Sequence, residues 1–287
     1  MAEQTGEGPG EETGWTSTGQ FRRSWPVPDP RGTVVVVHGL HEHGGRYAGV
    51  AAALNRAGYA VHAVDHPGHG RSPGRRGDLG PLAAAVAGVE ALVAHAVAAH
   101  PGAPVVVYGH SLGGLVAATH LSGAPHPAVV AGVLSAPALS LDDVPPLQRR
   151  LVRLLARVAP GAGVRELDVD AVSRDPEVVR AYRADPLTVL GRVRARTAAE
   201  TVRAVEALPA RLATTTLPLL LLHGDADRLV PPAASEVVRR SAASRDVTLL
   251  RYPGLFHEPH HEPERDRVLA DVVAWLDARV PGPPRTA

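Results

Sequence analysis

The stretch PVVVYGHSLGG at residues 104–114 decides the fold of this chain. It joins an apolar, β-branched run to a Gly-x-Ser-x-Gly pentapeptide, and small residues follow at 114–118 as the start of a helix. A strand, this pentapeptide and a helix in that order form a nucleophile elbow, a tight turn that raises the serine above the sheet. The two flanking glycines remove the Cβ atoms that would collide with the crossing strand and helix. The pattern therefore predicts that Ser111 is a nucleophile.

The composition narrows the function mainly by exclusion. The chain has 287 residues, a hydrophobic fraction of 45% and a formal net charge of +1, so no strongly basic surface for nucleic acid is expected. It has no cysteine, which excludes disulfides and thiolate metal sites. The N-terminus lacks the pattern of a signal peptide, and the longest apolar stretch, 83–99, is interrupted by Gly88, Glu90 and His95. We therefore expect a cytoplasmic location.

The sequence on both sides of the elbow alternates between strand-like and helix-like segments. Such alternation is typical of an α/β domain with a mostly parallel central sheet that is flanked by helices. Strands are predicted at 34–37, 59–64, 105–108, 129–134, 217–222 and 247–252, and helices at 47–57, 82–100 and 264–279.

The chain is expected to divide into four parts. Residues 1–14 are predicted to be a disordered acidic tail. Residues 15–138 form the first part of the α/β core and open with an edge hairpin or strand at 15–25, and residues 211–287 form the second part. The segment between them, 139–210, is far longer than an ordinary loop.

This long segment is predicted to be a helical cap. Apolar residues recur at helical spacing with arginines on the opposite face, and no β-branched strand run interrupts the segment; they are Leu147, Leu151, Leu154, Leu155 and Val158. An insertion that follows the carboxyl end of a strand lies over the place where α/β sheets bind ligands. The segment at 139–210 is therefore expected to cover the nucleophile.

A serine nucleophile needs a histidine base, which in turn needs an acid to orient it. In hydrolases with a nucleophile elbow the chain order is serine, acid, histidine. His257 follows the last predicted strand most closely, whereas His260 and His261 are better explained as loop residues. Asp225 and Asp227 both follow the strand after the cap, and their spacing alone leaves both open as the acid.

Two backbone amides are predicted to form the oxyanion hole. One is that of Leu112, at the start of the helix, and the other is that of Leu40, in the loop after the first parallel strand. His41, Glu42 and His43 in that loop are an alternative metal cluster, although they lack the spacing of a ligand set.

Several segments together resemble the monoacylglycerol lipases, within the lysophospholipase-like branch of the serine hydrolases. The resemblance runs from about residue 15 to about 279, looks closest to actinobacterial members, and implies an α/β-hydrolase fold. It also enters the cap, which makes it more specific than the core motifs. The matching segments are HGLHEHGGRY at 38–47, the segment 65–72, GHSLGG at 109–114, GDADR at 224–228, and 166–168, 173–179, Tyr182 and 185–186 in the cap.

The resemblance implies roles for individual residues. It implies Ser111, Asp227 and His257 as the catalytic triad, Leu40 and Leu112 as the oxyanion donors, and Tyr182 as a contact for the glycerol head. Glu42 and Arg46 are expected to serve the same substrate site. The departures are His41 where a glycine is usual, Pro67 where an arginine is usual, and Leu112 where methionine is common.

The expected function is hydrolysis of monoacylglycerol to fatty acid and glycerol through an acyl-enzyme, without a metal or organic cofactor. The expected partners are this small lipid and, through the arginine face of the cap helix, a transient contact with a membrane surface. A lysophospholipase or general carboxylesterase is one alternative. An aminopeptidase-like hydrolase is another, because the cap contains Glu166, Asp168 and Asp170 as candidates to bind a substrate amine. A binding protein on the same scaffold is disfavoured because no triad member is lost.

Overall fold

A computed structural model describes residues 4–5, 10–142 and 144–280. A nine-stranded sheet with the order β1-β2-β3-β5-β4-β6-β7-β10-β11 forms the centre, and β8 and β9 pair in a separate two-stranded sheet. The strands are β1 (Gln4–Thr5), β2 (Glu12–Trp15), β3 (Phe21–Trp25), β4 (Gly32–Val37), β5 (Tyr59–Val64), β6 (Val105–His110), β7 (Val129–Ser135), β8 (Gly163–Glu166), β9 (Arg192–Arg194), β10 (Leu219–Gly224) and β11 (Val247–Tyr252).

Eight α-helices lie in the described part of the chain, and helices cover both faces of the large sheet. On one face α2, α3 and α6 pack against side chains such as Val35 and Val107, and on the other α1 and α8 pack against Val34 and Val106. The helices are α1 (Ala48–Arg56), α2 (Leu82–Ala99), α3 (Leu112–Leu121), α4 (Pro146–Val158), α5 (Pro176–Ala184), α6 (Ala195–Leu212), α7 (Ala233–Ser241) and α8 (Arg265–Asp277).

The sheet is mostly parallel, which confirms the predicted fold class. Strands β4 to β7, β10 and β11 pair in parallel with their neighbours in that group, whereas β1, β2 and β3 form antiparallel pairs and β3 joins β5 antiparallel. Every residue of β4, β5, β6 and β10 is buried. Strands covered on both faces need apolar side chains on both, which is why these segments are mostly apolar.

The N-terminal region differs from its prediction. Part of the segment 1–14 forms β1 and the start of β2, so the prediction of disorder is wrong there, and residues 1–3 and 6–9 lie outside the described residues. The segment 15–25 does contribute to a hairpin, because β2 pairs antiparallel with β3, but the short strand β1 pairs outside β2 and forms the edge. Pairing with β3 satisfies the backbone of a segment whose own composition is too polar to predict a strand.

The helix α2 also differs from expectation. It has 18 residues, and by length and composition alone it could cross a membrane. From the sequence no such stretch was expected, because residues 88, 90 and 95 interrupt the apolar run. Its side chains Ala85, Val89 and Leu92 are fully buried against the sheet. Packing within the core of the domain therefore accounts for its apolar character.

The chain between β7 and β10 forms α4, β8, α5, β9 and α6, and is hereafter called the insertion. The prediction that it contains only helices is wrong, because β8 and β9 pair antiparallel. Each has only three or four residues and is stabilised by a distant partner, so no local run indicates it. The last helix, α6, extends to Leu212, beyond the predicted boundary at 210, and its Leu208 and Leu212 join the core.

Candidate active site

The nucleophile elbow lies where β6 passes into α3. Ser111 has φ 52° and ψ −120°, a backbone conformation that a residue with a side chain rarely adopts. A Cβ at Gly109 would overlap the carbonyl oxygen of Gly113, and a Cβ at Gly113 would overlap that of Val37. Only glycine fits these two positions, so the local sequence holds the serine at the head of the helix in a strained geometry.

The structure brings Ser111, His257 and Asp227 together in one hydrogen-bonded line. His257 Nε2 lies 2.9 Å from Ser111 Oγ, and His257 Nδ1 lies 2.8 Å from Asp227 Oδ2. The other candidate acid, Asp225, is exposed and accepts a hydrogen bond from Arg251 Nε at 2.7 Å. Of the two aspartates, therefore, only Asp227 has the position that an orienting acid requires.

The pKa values of the acid and the base are shifted in opposite directions. Burial alone would raise the pKa of Asp227, but the neighbouring His257 and hydrogen bonds from His223, His257 and the Val230 amide lower it below its ordinary value. Burial alone would lower the pKa of His257, but the Asp227 carboxylate more than offsets this and raises that pKa above its ordinary value. Asp227 is thus a carboxylate that stabilises a charged imidazole.

The two predicted oxyanion donors border the same cavity as the serine. Leu40 and Leu112 both line the cavity that contains Ser111. Leu112 is the first residue of α3, so its amide has no acceptor within the helix. The loop that carries Leu40 is held by Glu42, whose Oε1 accepts the Gly39 N–H at 2.6 Å.

A buried cluster of charges lies behind this loop. Arg46 Nη1 donates to Glu42 Oε2 at 2.6 Å and to Glu258 Oε1 at 2.7 Å, and its Nη2 donates to Glu258 Oε2 at 2.7 Å. Burial alone would raise the pKa of Glu258, but Arg46 and His261 lower it well below its ordinary value. The cluster ties the oxyanion loop to the loop that carries the catalytic histidine, because Glu258 follows His257 directly.

The three predicted substrate contacts have different positions. Glu42 and Tyr182 line the cavity. Arg46 is not among the lining residues, because its guanidinium is bound by the carboxylates of Glu42 and Glu258. The expectation that Arg46 contacts the substrate directly is therefore corrected, and its position is one that supports these two carboxylates. Tyr182 is buried, its hydroxyl donates to the His41 carbonyl at 3.1 Å, and its ring centre lies 4.6 Å from the Arg46 guanidinium.

The cavity beside Ser111 has a volume of about 700 Å³ and is lined by both the core and the insertion. Its aliphatic lining includes one valine from each of four insertion elements. Its polar lining from the core includes Glu42, His110 and Glu258, whose nearest ligand atoms lie within 4.8 Å of one another. The four valines are Val152 of α4, Val164 of β8, Val193 of β9 and Val202 of α6.

The structure does not bring residues 41–43 together as the metal cluster that was predicted as an alternative. His43 Nε2 lies 2.8 Å from Asp185 Oδ2, and Glu42 is paired with Arg46. His41 is buried with φ 65°, and neither of its ring nitrogens has a hydrogen-bond partner among the described residues. Glu42, His110 and Glu258 are close enough for a cation, but the Arg46 guanidinium already forms ion pairs with both carboxylates.

Sequence reasoning missed two residues of the site. The His110 ring lies tilted beside that of His257 with ring centres 4.8 Å apart, and its Nδ1 lies 3.1 Å from the Ser135 carbonyl. This nitrogen therefore carries the proton and leaves Nε2 as an acceptor. Glu258 was also overlooked as a partner of Arg46. The one feature of the sequence that could have indicated these two residues is that His110 directly precedes Ser111 and Glu258 directly follows His257.

These features together define a serine hydrolase with the α/β-hydrolase fold. A family model described as serine aminopeptidase, S33, matches residues 28–264. The chain is 46% identical to the monoacylglycerol lipase of Mycolicibacterium smegmatis over 253 residues, or 88% of this chain and 90% of that protein. It is 32% identical to the human monoglyceride lipase over 265 residues, covering 90% of this chain and 87% of that protein.

Solved structures give the same result. The crystal structure of Paleococcus ferrophilus monoacylglycerol lipase superposes with a TM-score of 0.80 at 31% identity and covers 90% of this chain and 98% of that one. A monoglyceride lipase variant from Saccharomyces cerevisiae has a TM-score of 0.80 at 22% identity over 96% and 94% of the two chains, which supports the fold alone. The chain belongs to the family whose model is described as serine aminopeptidase, S33, within the α/β-hydrolases. The predicted resemblance to the monoacylglycerol lipases is confirmed.

Proposed function

We propose that this enzyme hydrolyses monoacylglycerols to a fatty acid and glycerol through an acyl-enzyme on Ser111. The observation that carries the proposal is the cavity, which places a hydrogen-bonded serine between aliphatic side chains of the insertion and polar groups of the core. A monoacylglycerol presents one apolar chain and two free hydroxyls, which match these two kinds of lining. The two relatives named above as monoacylglycerol and monoglyceride lipases support the same substrate.

The proposed reaction follows from the line of hydrogen bonds. Ser111 Oγ attacks the ester carbonyl while His257 Nε2 takes its proton, and Asp227 stabilises the resulting imidazolium. The amides of Leu40 and Leu112 donate to the oxyanion. His257 then returns the proton to the glycerol oxygen as the ester bond breaks. Water activated by His257 attacks the acyl-enzyme and releases the fatty acid, and no step uses a metal or organic cofactor.

The glycerol head is proposed to bind the polar groups of the core. His110 Nε2 and the free lone pair of the Tyr182 hydroxyl accept hydrogen bonds from the glycerol hydroxyls. Glu42 contributes a further acceptor, and Arg46 acts on the head only by holding Glu42 and Glu258 in place. A neutral hydrogen bond of this kind contributes about 0.5–1.5 kcal/mol.

Helix α4 is proposed to touch a membrane surface transiently and so admit lipid to the cavity of a cytoplasmic enzyme. Leu147, Leu151, Leu154 and Val158 are all more than half exposed and follow one another at helical spacing. Of the arginines predicted to meet the surface, Arg150 and Arg157 are exposed and lie beside this row at helical spacing, so their positive charge can attract anionic head groups. Val152 of α4 lines the cavity, so the helix that meets the lipid also borders the site.

The alternatives differ in what they require of the cavity. An aminopeptidase needs an unpaired acid for the substrate amine, and Glu166 and Asp168 do line the cavity. However, Arg165 lines it too, and Arg228 lies 3.9 Å from Asp168, so the positive charges there offset the acids. These two arginines suit the phosphate of a lysophospholipid better than an amine, which makes lysophospholipase the second candidate.

The test is a substrate panel on the purified protein. Monoacyl-, diacyl- and triacylglycerols, a lysophospholipid, a p-nitrophenyl ester and an aminoacyl amide are compared at equal concentration. We expect monoacylglycerol to be turned over fastest, because a second acyl chain has no matching apolar lining. Faster turnover of triacylglycerol or of the amide would overturn the proposal.

The control is the Ser111→Ala variant, together with a fluorophosphonate probe. The variant should lose activity by several orders of magnitude and keep its melting temperature, because the triad acts as a unit. The probe should label Ser111 in the unmodified protein. Labelling of another serine would refute the assigned nucleophile.

A further inference from the structure

The hydrogen-bond line of the triad continues beyond Asp227. The carboxylate oxygen that faces His257 also lies 3.2 Å from His223 Nε2, and His223 Nδ1 lies 2.7 Å from Ser235 Oγ. We propose that His223 and Ser235 are positioning residues that set how strongly Asp227 holds the catalytic base. This proposal rests on the triad assigned above and adds two residues to it.

The surroundings of His223 fix its proton. Its Nε2 faces two acceptors, Asp227 Oδ2 at 3.2 Å and the Val230 carbonyl at 3.1 Å, so this nitrogen must carry hydrogen. In the neutral ring Nδ1 then carries no hydrogen, and its lone pair accepts a hydrogen bond from the Ser235 hydroxyl. Both residues are completely buried, so water does not compete for these bonds.

Three different elements hold this extension in place. His223 lies in β10, which is buried along its whole length, Ser235 lies in α7, and Asp227 lies in the loop between them. The other oxygen of Asp227, Oδ1, accepts the amides of Leu229 and Val230 at 2.8 and 3.0 Å. The carboxylate therefore keeps its place when the His223 bond alone is removed.

The expected effect is on the base. The His223 N–H draws charge from the oxygen that His257 also uses, so it moderates the pull of Asp227 on the imidazolium. Without it, the carboxylate stabilises protonated His257 more strongly, and the pH at which the base becomes neutral rises. His257 also faces the His110 ring and the carboxylates Glu42 and Glu258, all of which remain unchanged in this comparison.

The experiment compares the pH dependence of kcat/KM on a soluble p-nitrophenyl ester. In His223→Leu we expect the acidic limb to move to higher pH by about half a unit to one unit. His223→Gln should restore the position of the limb, because the glutamine amide can donate from the place of Nε2. Ser235→Ala should give a smaller shift in the same direction, since donation to Nδ1 strengthens the opposite N–H.

The control is His62→Leu. His62 is a buried histidine in another strand of the same sheet, and its Nδ1 lies 2.9 Å from Ser24 Oγ, so its removal breaks a similar pair without touching the triad. We expect lower stability and an unchanged pH profile.

The proposal would be overturned if both folded variants, His223→Leu and Ser235→Ala, had the same acidic limb as the unmodified enzyme. If His223→Leu does not fold, Ser235→Ala decides alone. Activity retained in Ser111→Ala would instead refute the triad, so the two failures are distinguishable.

Discussion

Helices α3 and α4 show how differently the core and the insertion use apolar residues. Nine of the ten residues of α3 are buried, whereas none of the 13 residues of α4, all of which the structure describes, is buried. The first helix begins directly after Ser111 and is fixed by packing on the sheet. The second borders the cavity with one side and exposes a row of leucines on another.

The difference separates the chemistry from the choice of substrate. Close packing around α3 holds the nucleophile in a strained conformation that a loose helix would relax. Helix α4 is joined to α6 by ion pairs of Arg149 and Arg153 with Glu206, which are partly exposed and therefore weak. We infer that the core supplies a rigid site and the insertion an adaptable entrance.

The largest effect on activity is expected when the acid of the triad, Asp227, is substituted. Asp227→Asn should lower kcat by about 10⁴-fold, because the amide leaves His257 in the wrong tautomer. Asp225→Asn is the matched control, since it removes only an exposed contact with Arg251. Kinetics on a soluble ester measure both, and a crippled Asp225→Asn beside a normal Asp227→Asn would reverse the assignment.

The two helices should also differ in what a leucine contributes to stability. Leu115→Ala in α3 removes a fully buried side chain and should lower the free energy of unfolding by about 2–5 kcal/mol. Leu151→Ala in α4 removes one that is 55% exposed and should change it by no more than about 0.5 kcal/mol. Urea denaturation measures both values, and equal losses would remove the contrast between the helices.

The exposed row on α4 should matter only for substrate held in lipid. Changing Leu147, Leu151 and Leu154 together to Gln should lower the turnover of monoacylglycerol in anionic vesicles at least about tenfold, because each leucine loses apolar burial in the membrane. Turnover of a soluble ester should stay the same. Trp15→Gln, which alters an exposed side chain on the large sheet, is the control. Equal rates on vesicles would refute the docking of α4.

The pH dependence should report the buried site and not the exposed insertion. His257 must be neutral to accept the serine proton, and its pKa is raised, so the acidic limb of kcat/KM should have its midpoint above about 6.5, with a plateau on the alkaline side. Activity then falls about tenfold for each pH unit below that midpoint. Added salt should leave the midpoint unchanged, because buried pairs are poorly screened. An optimum on the acid side would contradict a histidine base.

The smallest effect is expected where the two regions meet. Tyr182 belongs to α5 of the insertion, and its hydroxyl bonds the core at His41. Tyr182→Phe should lower kcat/KM for monoacylglycerol by about two- to tenfold, the effect of one neutral hydrogen bond. The rate on a p-nitrophenyl ester of the same chain length should change little. Equal losses on both esters would make Tyr182 a packing residue.

The core was largely predictable because its signals are local. The mostly apolar runs of β4, β5 and β10 indicate strands buried on both faces, and the glycines around Ser111 indicate the elbow. The order of serine, acid and histidine follows from the succession of strands. Asp225 and Asp227 lie in the same turn, however, and only their distance from His257 separates them.

The insertion and the polar side of the cavity were less predictable because they depend on distant partners. The strands β8 and β9 are too short to indicate themselves, and the core packing of α6 depends on its contact with α3. Arg46 was expected to bind substrate, but Glu258, more than 200 residues away in the chain, occupies its guanidinium. The left-handed conformation of His41 explains why a glycine is usual there, but nothing in the structure explains the histidine.

The position of the insertion has a consequence for how such enzymes change over time. Strands β7 and β10 are neighbours in the sheet, with Gly132 opposite Leu219, although the whole insertion separates them in the chain. The chain entropy lost in closing so long a loop grows only by about 0.6 kcal/mol for each doubling of its length. Segments of the insertion can therefore be lengthened, shortened or replaced at little thermodynamic cost, while the strands on either side go on pairing. New substrate preferences are thus accessible to this fold without any alteration of its catalytic residues.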